Sequence, residues 1–338
     1  MKGTITKILS VMSLVDTPGG VLQCTVRTRL AEGDTGETKP LVVGDEVEVE
    51  ATGTGEAVIT RVHPRRTRLS RAQPRDPRVE HVIVANVDQL LIVSAVRTPP
   101  LRVGLIDRYI IAADMGGVRP IICINKVDLA EDPAEHRGAA RLYRDLGYGV
   151  VLTSAKTGAG LEELRDALRG RSTALAGHSG VGKSSLLNAM QPGLKLRTAP
   201  VDERGRHCTS TVSLLRLDFG GYVVDTPGVR EFGVWNMARR NVAEFYPEIW
   251  KLSGDCRMPG CIHVHEKGCA VLAALERGEL PRARYESYLG LLESVHEHRV
   301  PRHTDVDDPA RQVAKSKRHP SRRTSKQRLE RRLREDAE

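Results

Sequence analysis

The stretch GHSGVGKSS at 177–185 has the composition of a loop that closes on phosphate. Its spacing, Gly177-x4-Gly182-Lys183-Ser184, lets backbone N–H groups turn inward onto phosphate oxygens without Cβ interference. Gly177, Ser179, Gly180, Val181, Gly182, Lys183, Ser184 and Ser185 are therefore candidate nucleotide contacts. Lys183 has the reach to neutralise the β- and γ-phosphates in transfer, and the Ser184 hydroxyl is a ligand for Mg²⁺. A helix opening at the end of this loop adds a favourable dipole.

A base-reading element accompanies it. Asn125-Lys126-Val127-Asp128 follows the apolar run PIICI, which would present Asp128 at a strand's carboxyl end. A carboxylate there accepts two hydrogen bonds from the N1–H and N2–H₂ of guanine, a pairing adenine does not offer. Thr153-Ser154-Ala155-Lys156 is a second strand-end motif, in which Ser154 and Ala155 are candidate nucleotide contacts and the Ala155 N–H can donate to guanine O6. After the strand GYVVD, the motif Asp225-Thr226-Pro227-Gly228 suits Asp225 to hold Mg²⁺ through water and the Gly228 N–H to meet the γ-phosphate. Between this motif and the phosphate loop lies GRHCTST at 205–211, where Thr209 is the candidate switch hydroxyl on the metal. The residue after Gly228 is Val229, whose aliphatic side chain cannot orient water, so His207 becomes the candidate for positioning or polarising the attacking water.

The order of these parts is unusual. The guanine motif begins 52 residues before the phosphate loop rather than after it. A parallel sheet gathers its loops at the strand ends whatever the connection order, so a circular permutation preserves the site. It also makes the segment after Gly228 lead directly into the C-terminal third of the chain.

That third contains Cys256-x4-Cys261, then His263 and His265, then Cys269. Three thiolates and one imidazole complete a tetrahedral zinc set with no position left for water, which makes the expected site structural. Cys24, Cys123 and Cys208 are scattered.

The elements that must position these residues fall into zones. Residues 1–70 read as short strands with turn signals, a small OB-type barrel of the kind that adapts proteins to nucleic acid. Residues 71–80, RAQPRDPRVE, read as a linker. From 81 to 241 strand and helix alternate, which implies a parallel sheet covered on both faces. Residues 242–310 read as a zinc-binding helical domain and 311–338 as a basic tail. The formal net charge is +9, and the tail supplies +7 of it, with eleven Lys and Arg against four Asp and Glu. This balance favours anionic partners such as RNA, and Arg257, Lys267, Arg277, Arg282 and Arg284, in or near the cysteine cluster, are expected on an RNA-binding surface. No run approaches the ~18 apolar residues of a membrane span, and the first residues lack a signal-peptide core, so a cytoplasmic protein is expected.

Permuted motif order, N-terminal barrel and C-terminal cysteine cluster together resemble the small-ribosomal-subunit-dependent GTPase A family, the RsgA or YjeQ family. The resemblance implies an α/β fold: a circularly permuted P-loop GTPase domain flanked by an OB-type barrel and a zinc-binding helical domain. It implies hydrolysis of GTP with Mg²⁺, stimulated by the small subunit, in a late step of 30S assembly with contact to 16S rRNA. It selects Cys256, Cys261, His263 and Cys269 for one Zn²⁺ per monomer, assigns catalysis to the histidine at position 207, and implies a monomer. An alternative reading is an RNA-binding checkpoint module controlled by GTP, with incidental hydrolysis; Val229, in the place of the usual water-positioning residue, keeps it open.

Overall fold

The computed structural model describes residues 1–9, 11–26, 41–53, 55–73, 79–194, 212–225, 234–235 and 237–295. Strands β1 (Lys2–Ile8), β2 (Ser13–Thr17), β3 (Gly20–Val26), β4 (Glu46–Gly53) and β5 (Glu56–Val62) follow the order β1-β2-β3-β5-β4, and β4 pairs back onto β1. The barrel is closed, with β3 and β5 parallel and the other pairs antiparallel. Alternation along β2, where Ser13, Val15 and Thr17 are buried and their neighbours are not, is the pattern of a strand with one face in a core. Ile5, Val15, Cys24, Val47, Val49, Ala57 and Ile59 fill that core. The sequence presents β1 and β2 as nearly one run because their connection holds neither Gly nor Pro; a Leu9 N–H to Met12 carbonyl bond of 2.8 Å turns the chain.

The stretch expected as a linker is flanked by a hairpin: β6 (Arg68–Ala72) pairs antiparallel with β7 (Glu80–Ala85). Five arginines fall between positions 61 and 71, and four are paired: Arg61 with Glu48, Arg65 with Asp45, Arg66 with Glu46 and Arg68 with Glu80. Asp45 is fully buried, and its carboxylate also accepts the Val42 N–H at 2.8 Å.

Five parallel strands follow: β8 (Gln89–Ala95), β9 (Arg119–Asn125), β10 (Gly149–Leu152), β11 (Ser172–Ala176) and β13 (Tyr222–Asp225), in the order β10-β9-β8-β11-β13. β12 (Ser213–Arg216) runs antiparallel beside β13, a departure from the all-parallel expectation that follows from its short connection. β8 is buried on both faces. Leu90 and Ile92 face a core with α1 (Val103–Met115) and α2 (Pro133–Asp145); Leu91 and Val93 face one with α3 (Leu161–Leu168) and α4 (Lys183–Met190). Full burial of each such side chain contributes roughly 1.5–3 kcal/mol.

The barrel continues this sheet. β1 pairs with β12 through Lys7 and Ser213, and the Tyr222 hydroxyl donates to the Asp16 carboxylate at 2.9 Å. The result is one eleven-stranded sheet, curled at one end and open at the other. Beyond it, α5 (Pro247–Ser253), α6 (Ala270–Glu276) and α7 (Arg282–Ser294) pack around Val242, Tyr246, Ile249, Val271, Tyr288 and Leu291, with Ile111 of α1 in the same core.

Candidate functional site

β8, β9, β10, β11 and β13 are parallel, so their carboxyl ends lie along one edge of the sheet. The phosphate loop leaves β11 at Ala176 and ends where α4 begins at Lys183. Close approach explains its outer glycines. At Gly177 (φ +139°) an added Cβ would lie 2.1 Å from the Val93 carbonyl oxygen, and at Gly182 (φ +98°) one would lie 2.4 Å from Asn125 Nδ2. The Lys183 ammonium sits within the loop, donating to the carbonyls of Gly177 at 2.7 Å and His178 at 3.1 Å. Ser184 and Ser185 occupy the first turn of α4.

Asn125 closes β9 and is 1% exposed. Its Nδ2 donates to the Val181 carbonyl at 2.9 Å, while its Oδ1 accepts from the Thr153 hydroxyl at 3.2 Å and the Ala155 N–H at 3.3 Å. One buried amide therefore ties the guanine motif, the Thr153–Ala155 turn and the phosphate loop together. This bridging role was not read from the sequence. The Ala155 N–H, expected to meet guanine O6, here points at Asn125. Asp128 is held by the Ser154 hydroxyl, which donates to its Oδ1 at 2.5 Å. Lys126 adopts φ +62° and donates from Nζ to the Thr98 carbonyl at 2.5 Å. Asp225 closes β13 at the same edge, whereas His207, Thr209 and Gly228 lie outside the described residues.

The second site is the cysteine cluster. The ligand atoms of Cys256, Cys261, His263 and Cys269 all lie within 4.8 Å of one another. His263 Nδ1 is 3.5 Å from the sulfurs of both Cys256 and Cys269, which are 3.9 Å apart. Tetrahedral zinc bonds of about 2.3 Å to sulfur and about 2.0–2.1 Å to nitrogen imply S···S near about 3.8 Å and S···N near about 3.5 Å, so the donor set fits such an ion. Burial, with the neighbouring thiols, pushes the Cys261 thiol up to about 12, and a bound cation would act in the opposite direction by favouring the thiolate. The competing His265 is exposed and outside the cluster.

Glu266 shapes the loop that carries His263. Its carboxylate accepts the N–H groups of Ile262 at 2.9 Å, Val264 at 2.8 Å and His265 at 3.1 Å. Partial burial would raise this carboxyl, but these backbone donors outweigh it and hold it at about 2. From α7, the Tyr285 and Tyr288 hydroxyls donate to the carbonyls of His263 and Ile262, each at 2.8 Å.

Two arginines expected on an RNA-facing surface are engaged elsewhere. Arg284 is 2% exposed, ion-paired with Asp107 and Glu248 and lying 4.7 Å over the Tyr246 ring. Arg277 is paired with Glu279 through two hydrogen bonds of 2.8 and 2.7 Å. Among the described residues, no helix is long and apolar enough to cross a membrane.

A phosphate loop, a guanine motif and the Asp225 that closes β13 gather at one sheet edge, and with the guanine half first in the chain they define a circularly permuted GTPase. The family model described as RsgA GTPase matches residues 62–235. The small ribosomal subunit biogenesis GTPase RsgA of Moorella thermoacetica is 42% identical over 298 residues, covering 87% of this chain and 97% of the relative. The protein of the same name from Chlorobaculum tepidum is 39% identical over 311 residues, covering 88% and 99%. Among solved structures, YjeQ from Thermotoga maritima is similar with a TM-score of 0.69 at 36% identity, covering 87% of this chain and 97% of that one. YloQ, described as a circularly permuted GTPase, gives 0.66 at 32% identity, covering 89% and 96%. The chain belongs to the RsgA GTPase family, and GTP hydrolysis with Mg²⁺ follows from that membership.

Proposed function

We propose that this chain acts in small-ribosomal-subunit biogenesis, as a cytoplasmic monomer that binds the 30S particle and its 16S rRNA and hydrolyses GTP when that particle stimulates it. One observation carries the reading. Barrel, permuted site and Cys₃His cluster occur in one chain, and relatives named for this role match it over 97% and 99% of their lengths.

In this reading Asp128 and Ser154 hold guanine, and the N–H groups of residues 177–185 hold the phosphates. Ser184 and Thr209 ligate Mg²⁺, with Asp225 acting through water. Lys183 neutralises charge on the γ-phosphate as it transfers. His207 takes the water-positioning role that Val229 cannot fill. Cys256, Cys261, His263 and Cys269 hold one structural Zn²⁺, which would fix a small polar segment beside the α5–α7 core.

The deciding experiment is GTP turnover by the purified chain at low and moderate salt, alone and with small or large ribosomal subunits. Stimulation by small subunits alone is expected. GTP-dependent binding without stimulation would favour the checkpoint module instead.

A further inference from the structure

Helix α1 stands between the two halves of the molecule. Around its first turns, Arg102, Leu105, Ile106 and Tyr109 face His178 and Val181 of the phosphate loop across a cavity of about 40 Å³. A different side of the same turns meets α7. Gly104 lies against Ser287, where an added Cβ would be 3.6 Å from the hydroxyl oxygen. The Arg108 guanidinium donates to the Gly290 carbonyl at 3.2 Å, and the Asp107 carboxylate pairs with Arg284.

Arg284 is the centre of this junction. Glu248 of α5 accepts from it at 2.5 and 3.2 Å, and Asp107 also takes the Tyr143 hydroxyl of α2 at 2.8 Å. Asp107 and Arg284 are 1% and 2% exposed. Buried ion pairs of this kind are poor sources of net stability compared with an apolar packing of equal volume. They are directional, however. A guanidinium fork gripping carboxylates on two helices fixes rotation and register, whereas leucines would let α1 slide on α7.

We propose that Arg284 is a positioning residue of the GTPase site, acting through Asp107 to fix α1 against the phosphate loop. The proposal rests on the assignment of 177–185 as that loop. A residue of the C-terminal helices thereby sets how firmly nucleotide is held, and Tyr285 and Tyr288 join the same helix to the Cys₃His loop. This contact path is separate from the covalent one that runs on from β13.

The test compares the full-length chain with Asp107→Asn and Arg284→Lys, following release of a fluorescent GDP analogue, KM and kcat for GTP, and the thermal midpoint. Asp107→Asn keeps the shape and an acceptor for Tyr143, and Arg284→Lys keeps the charge without the fork. Both are expected to speed nucleotide release and raise KM by about three- to tenfold while kcat at saturation moves much less. Release and KM within about twofold of the parent in either variant, measured well below its melting point, would reduce the triad to a structural contact and overturn the proposal. A parent chain that bound no guanine nucleotide would instead sink the loop assignment itself.

Discussion

Gly182→Ala probes the site where its two halves touch. The new methyl would start 2.4 Å from Asn125 Nδ2, with the backbone at φ +98°. Left-handed backbone at a non-glycine residue costs about 1–3 kcal/mol. Displacing the Asn125 amide from the Val181 carbonyl leaves a buried donor unpaired, which costs about 1–3 kcal/mol more. Local relaxation relieves part of this, leaving about 2–4 kcal/mol to be divided between folding and nucleotide binding. A share of about 2 kcal/mol in binding is about a thirtyfold loss of affinity. Titration with a fluorescent GDP analogue measures that share, and thermal unfolding of the free chain measures the rest. Asn125→Ala supplies the control: with no amide to strike, adding Gly182→Ala should lose only the backbone portion. Affinity within about threefold of the parent, with an unchanged midpoint, would refute the reasoning. So would losses that simply multiply in the double variant.

Other expectations are simpler to check. Asp128→Asn puts an amide donor where guanine presents donors and should weaken GTP binding by about a hundredfold or more in equilibrium titration. His207→Ala should abolish small-subunit-stimulated turnover while GTP affinity stays close to the parent's; full stimulated turnover would remove His207 from the mechanism. Freshly purified chain should carry close to one equivalent of zinc by metal analysis, and chelation should lower the thermal midpoint. Glu266 lies below its ordinary 4.5 in the folded chain, so its stabilising effect is complete above that pH and fades as pH falls toward about 2. Glu266→Gln should therefore lower stability at neutral pH and flatten the acid limb of the stability curve.

The chemical motifs were legible because each is local: strand, loop and helix follow one another directly in the chain, and their residue types are dictated by backbone approach to phosphate or base. What joins the motifs was not legible. Asn125 reaches Val181 across 56 positions, and nothing in NKVD announces that its first residue ties down the phosphate loop. Arg284 was misread for a physical reason. Arginine is rarely fully buried, so its place among basic residues pointed outward, while its partners Asp107 and Glu248 lie far back in the chain. The barrel's first turn was hidden because a backbone hydrogen bond at Leu9, not Gly or Pro, reverses the chain. The antiparallel β12 could not be separated from its parallel neighbours by hydrophobicity, since a short apolar run has no direction.

The shared edge between β1 and β12 sets a schedule for synthesis. During translation the barrel strands emerge complete by Val62, yet the partner of Lys7 arrives only at Ser213. Until then the end of β1 beyond the Lys2–Thr4 stretch that β4 covers lacks its neighbour, a short template for mispairing. The guanine half of the sheet, β8 to β10, is also made before the phosphate half, so the base-reading loops are in place before the chain can hold a triphosphate. An unpermuted chain would reverse that timetable, and ligand-assisted folding on the ribosome would begin from the other end of the nucleotide.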